Sequence, residues 1–194
     1  MASDEPATTN DPVVSNPPRA VLSLPKAINE SGVRHWRREA GAPRPTDDLI
    51  ALFAGKDIVQ VIIRDPYAIA RSTARQAQVQ FISALCSASR SLAGVTIEYA
   101  PEAEGDVEDE VARRDFGASY ARAFSDPPPK LLLSRRRKRS REDDFHDRFV
   151  DIDVRHAGGA IRRHEVTIGR GVEALFDLSK QCTMTYAPPP AAVA

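Results

Sequence analysis

Ile58-Val-Gln-Val-Ile-Ile-Arg64 is the stretch on which the fold turns. It is β-branched and nearly continuous in apolar residues, the composition of a central strand buried on both faces. Asp65-Pro66-Tyr67 breaks it. A helix is predicted from about Ala68 to Leu92, because Ile69, Val79, Ile82, Leu85 and Cys86 fall into one apolar stripe. Gly94 stops that helix, and Val95-Thr-Ile-Glu-Tyr99 alternates as the next strand. Strand, helix and strand in this order predict a right-handed parallel crossover.

Downstream, the acidic segment at 102–115 opens a second helix that runs to Phe124, its carboxylates complementing the helix dipole. Asp126-Pro-Pro-Pro129 ends that helix, and Lys130-Leu-Leu-Leu-Ser134 reads as a third strand. The charge block from Arg135 to Asp144 reads as a solvated loop. From Phe145 a hairpin is expected: alternation through Val154, turn residues at His156-Ala-Gly-Gly159, and a return from Ile161 to Ile168. Gly169-Arg-Gly171 breaks that strand, a short helix follows through Val172, Leu175 and Phe176, and Cys182-Thr-Met-Thr-Tyr186 is a last strand.

Upstream, a short helix is predicted from Thr46 to Ala54. Between Ala20 and Pro45 the apolar anchors Val21, Leu22, Leu24, Val33 and Trp36 suggest one or two short strands lying on the domain. Trp36 suits a core plug or an interface anchor equally. The expected organisation is a disordered leader at 1–18, an arm at 19–48, an α/β domain at 49–187 with the charged loop at 135–144, and a disordered tail at 188–194. The predicted fold is α/β: a mixed sheet with a parallel centre, helices on both faces and a late antiparallel hairpin.

At 194 residues the chain fits one domain with tails, and 42% apolar residues suffice for a core. Lys and Arg total 27 and so do Asp and Glu, so no global field draws the chain to nucleic acid or membrane; only a local patch can. Cys86 and Cys182 read as two reduced, buried thiols. No apolar run reaches the roughly 18 residues of a membrane span. The N-terminus lacks the apolar stretch of a signal peptide. A cytoplasmic protein is expected, at most peripheral at a membrane.

His146-Asp-Arg148 with Asp153 carries the most chemistry. A histidine can attack a phosphodiester phosphorus, a neighbouring cation holds the phosphoryl oxygens, and an acid orients the imidazole. Residues two apart on a strand share a face, which aims His146 and Arg148 at one ligand. The spacing H-x-R-x4-D is that of the phospholipase D signature H-x-K-x4-D with arginine for lysine. The order D-P-Y (Asp65 to Tyr67), H-D-R (His146 to Arg148), then glycine-arginine-glycine (Gly169 to Gly171) resembles the C-terminal domain of MIT-domain-containing proteins. The resemblance covers roughly Leu49 to Tyr186.

That resemblance implies a phospholipase-D-like fold with a degenerate site, associated in eukaryotic members with membrane binding and self-association. The MIT helical domain is not expected in residues 1–45. The arginine- and alanine-rich style suggests a bacterial relative, serving a defence-type system through protein partners encoded nearby. Arginine for lysine keeps the charge but changes its reach. The Gly-Ser-x-Asn segment of the enzymes is replaced by Gly169-Arg170-Gly171, and a single histidine copy would need a dimer for catalysis.

The expectation is therefore a homodimeric binding module, with Asp65, Tyr67, His146, Arg148, Gly169, Arg170 and Gly171 around a phosphate-bearing ligand. Anionic lipid and nucleic acid are the candidate ligands, and amides at a helix N-terminus would assist. The alternative is a dimeric phosphodiesterase, a nuclease or phospholipase, with His146, Arg148 and Asp153 catalytic. A third reading is a nucleic-acid-binding accessory protein that uses the run Arg135, Arg136, Arg137, Lys138, Arg139 and Arg141, against a loop balanced by nearby acids. His156 and His164 flank the hairpin, but with no third ligand they read as exposed hairpin residues rather than a metal site. No cofactor is expected.

Overall fold

The computed structural model describes residues 32–100, 106–124, 127–136 and 148–190. The chain runs β1 (Arg34–Arg38), α1 (Thr46–Ala51), β2 (Asp57–Arg64), α2 (Ser72–Ala88), β3 (Ser91–Leu92), β4 (Gly94–Tyr99), α3 (Asp106–Ala123) and β5 (Lys130–Arg135). It continues through β6 (Phe149–Arg155), β7 (Ile161–Ile168), a single 3-10 turn η1 (Val172–Leu175) and β8 (Cys182–Ala187). The strands form one mixed sheet in the order β1-β8-β7-β6-β2-β4-β5, with β3 beside β2. The α/β class, the parallel crossover from β2 to β4 and the late hairpin of β6 and β7 are as expected.

Helix α2 begins at Ser72 rather than Ala68, because the chain first turns tightly: Ala68 N donates to the Asp65 carbonyl (3.1 Å) and Ala70 N to that of Tyr67 (3.2 Å). It ends at Ala88, short of Leu92, since Ser91 and Leu92 are drawn into pairing with Asp57 and Ile58. The arm supplies an edge strand, β1, whose Trp36 is buried against the core opposite Met184. The leader at 1–18 and residues 191–194 lie outside the described residues.

Two expectations about layering need correction. The parallel strands β2, β4 and β5 occupy one end of the sheet rather than its centre. The helices gather on one face rather than two: α1, α3 and η1 all contact α2. The cause is strand order. The chain steps from β2 to β4 to β5 in one direction, and successive right-handed crossovers without a reversal place their helices on the same side.

That side holds a single core, in which Val61, Ile63, Val95, Ile97, Val150 and Ile152 of the sheet meet Phe53, Phe81, Leu85, Phe116 and Leu175. A bulge between Ile58 and Gln60 lets both Ile58 and Val61 face this core. The alternate residues form a second, polar face, with Ile62 half-buried beside Thr96 and Asp151. So β2 is apolar along its length without being enclosed on both faces. Among the described residues no helix is long and apolar enough to cross a membrane.

Candidate functional site

The end of β2 and the start of β6 are antiparallel neighbours, with Arg64 opposite Phe149. One step further, Asp65 therefore meets Arg148. Arg148 Nε lies 3.4 Å from Asp65 Oδ1, its Nη1 donates to the Gly169 carbonyl (3.5 Å), and its guanidinium sits 5.3 Å from the centre of the Tyr67 ring. An acid, a carbonyl and an aromatic face thus fix one cation. Asp65 is in turn locked by Tyr67, whose backbone N–H donates to Oδ1 (2.9 Å).

Glycine is required beside this pair. Gly171 has φ +75°, and a Cβ there would collide with Asp65 Oδ2 and press on Arg148 Cδ. A Cβ on Gly169 would collide with Thr183 Oγ1. Of the predicted ligand-binding residues, Asp65, Tyr67, Arg148, Gly169 and Gly171 come together. Arg170 is exposed on the intervening turn and makes no hydrogen bond or ion pair among the described residues. His146 lies outside the described residues.

Asp65 is buried, with a side chain 6% exposed against 21% for Arg148. Burial pushes its carboxyl above the ordinary range, while the Tyr67 amide and then Arg148 pull it back. Residues with no local signal complete the surroundings. Glu173, at the start of η1, accepts from Thr73 (2.7 Å) and pairs with Lys180 (3.3 Å) and Arg71 (3.8 Å). Burial opposes its ionisation, but these donors hold the Glu173 carboxyl below its usual value. The cleft beneath Arg148, lined by Ile63, Asp65, Ile168 and Val172, leaves no room for a water molecule. A ligand would meet the outer edge of the guanidinium.

Asp153 does not join the site. It is an odd number of positions from Arg148, so the strand turns it to the polar face. There Arg163 grips it with two hydrogen bonds, of 2.8 and 3.0 Å. Of the basic run, Arg135 pairs with Asp109 (3.8 Å) and Arg136 with Glu98 (2.6 Å), so both are engaged. Arg137, Lys138, Arg139 and Arg141 lie outside the described residues.

The hairpin histidines also differ from expectation. His164 is 3% exposed, donates or accepts at Nδ1 with Tyr186 Oη (2.8 Å), and stacks parallel to His156 at 6.1 Å. Its position opposite Ile152 turns it to the core. Burial, then the Lys56 charge, lowers its pKa to about 4. No group of three or more metal-ligating side chains occurs among the described residues. Cys182 is buried and Cys86 half-buried, and both are free thiols.

No protein-family model matches this chain, and no curated protein matches it.

Proposed function

We propose that this chain is a phospholipase-D-like binding module that holds a phosphate-bearing ligand at Arg148 without hydrolysing it. One observation carries the reading: a guanidinium partly open to solvent is clamped by Asp65, the Gly169 carbonyl and the Tyr67 ring. Pre-orientation lowers the entropic cost of ordering a long side chain on a ligand, and arginine's planar fork suits two phosphoryl oxygens. Asp65 balances the charge while the site is empty, and its raised pKa eases proton uptake when an anion takes the guanidinium. The acid that the phosphodiesterase reading assigns, Asp153, is committed to Arg163 on the polar face, which supports binding over turnover.

The test is calorimetric titration with pyrophosphate and with a simple phosphodiester, alongside a hydrolysis assay. The reading expects binding that weakens about tenfold in Arg148→Ala, the loss of one charge-assisted contact, and persists in Arg163→Ala. Absence of binding overturns it. Turnover of the phosphodiester that His146→Ala abolishes would replace it with the dimeric phosphodiesterase.

A further inference from the structure

The two edges of the sheet are built differently. At one edge β1 reads Arg34-His-Trp-Arg-Arg38, a strand whose charges oppose pairing with another chain. At the other, β5 reads Lys130-Leu-Leu-Leu-Ser-Arg135 and, among the described residues, pairs only with β4. It has no internal proline, its register with β4 runs unbroken, and Leu132 is 57% exposed. A groove of about 800 Å³ runs beside it, lined by Asp109, Glu110, Arg113 and Arg114 of α3 and by Leu131 to Leu133. Val111 of α3 is 41% exposed.

We infer that this edge is a self-association surface, on which β5 of a second copy pairs antiparallel with β5 and joins the two sheets into one. Backbone geometry selects the register. Lys130 N donates to Ala93 O (3.1 Å) and Arg136 N to Tyr99 O (2.8 Å), so even-numbered amides point to β4. By alternation, Leu131 and Leu133 turn their N–H and C=O groups outward. A twofold axis at Leu132 then places Leu131 opposite the second copy's Leu133 as a hydrogen-bonded pair, with Leu132 against its own counterpart. This register also sets Lys130 opposite Ser134 and keeps it away from Arg135, avoiding like charges face to face.

The helix flank agrees. Glu110 on one side of Val111 and Arg113 and Arg114 on the other form a sequence that is self-complementary under the same axis. The carboxylate of each α3 meets guanidinium groups of the other. Such opposite charges across an interface favour one orientation over its alternatives. The occupant is a second copy of this chain because both the backbone register and the charges close on themselves. This surface does not depend on the phosphate reading.

Sedimentation velocity of the full chain from about 1 to 100 µM reads the association directly. The expected result is a monomer–dimer equilibrium in that range. Leu132→Lys puts two ammonium groups face to face and weakens it at least about tenfold. Glu110→Arg weakens it as well, and adding Arg114→Glu to Glu110→Arg restores it, which no folding defect would do. A monomer throughout, or a dimer indifferent to Leu132→Lys and to the charge exchange, overturns the inference.

Discussion

Arg64 and Asp65 are neighbours in the chain, yet they belong to two electrostatic systems of opposite design. Arg64 turns to the polar face, where each acid it meets has a second cation. Asp151 is held by Arg64 (2.7 Å) and Arg163 (3.4 Å), and Glu98 by Arg64 (3.3 Å) and Arg136 (2.6 Å). Asp65 turns to the helical side, and Arg148 is its only ion-pair partner among the described residues. The first system is redundant around Arg64, so losing that arginine leaves neither Asp151 nor Glu98 bare. The second is a one-to-one pair, and anything that engages Arg148 changes the state of Asp65. A network of the first kind stabilises a surface, whereas a pair of the second kind responds to a ligand.

Substitution at Gly171 should do the most damage to the Asp65–Arg148 pair. Gly171→Ala drives a methyl into Asp65 and Arg148 at a positive φ, and urea unfolding should show a loss of about 3 kcal/mol or more. A loss under about 0.5 kcal/mol would mean that the pair is not as tightly enclosed as described. Next in size is Arg148→Ala, which strands a buried carboxylate. It should cost about 2 kcal/mol by the same measurement, below the figure for a fully buried pair because Arg148 is partly solvated. Arg64→Ala should cost about 1 kcal/mol or less, since Arg163 and Arg136 remain on its acids. If Arg64→Ala proves the more damaging of the two, the redundancy carries no weight and the contrast fails.

The smallest effect separates the two systems by their response to pH. Burial first, against the pull of the Tyr67 amide and Arg148, raises Asp65 above its ordinary 3.8, so the folded chain binds that proton more tightly than the unfolded one. Its contribution to stability is present when protonated and is lost as pH rises through the folded pKa. Without Arg148 the pKa rises further. The penalty of Arg148→Ala should therefore shrink on acidification, as the Asp65 carboxyl takes up its proton, whereas that of Arg64→Ala should not shrink in the same way. His164 works in the opposite sense: its pKa is lowered to about 4, so its contribution is present above 6.5 and is lost as pH falls towards 4. Wild type and both variants share that slope, and it cancels in the differences.

Local pattern was enough for most elements. The alternation or continuity of β2, β4, β5, β6, β7 and β8 gave each strand, and the stripe from Val79 to Leu85 gave the body of α2. The one-sided helices were not legible, because they follow from the direction in which strands are added, and no window of sequence holds that direction. Motif order singled out Asp65, Tyr67, Arg148, Gly169 and Gly171, which lie close together in the fold. Strand parity, applied to Arg148 and Asp153, would have separated those two at once. Thr73, Glu173 and Lys180 gave no signal, since Thr73 and Glu173 meet across 100 positions and only packing joins them.

The register of β2 with β6 also sets an order of assembly. Ile63 pairs with Ile97 on one side and with Val150 on the other. As the chain is synthesised, β2, α2, β4, α3 and β5 can fold together while the second edge of β2 still waits for residues not yet made. Closing that seam joins positions far apart in the chain, Arg64 with Phe149, a slow step by loop-closure entropy. Arg148 lies at the head of the closing strand, so Asp65 spends the interval before its arrival beside an open strand edge. The acid is thus in place before its cation, and the site comes into being as the sheet shuts.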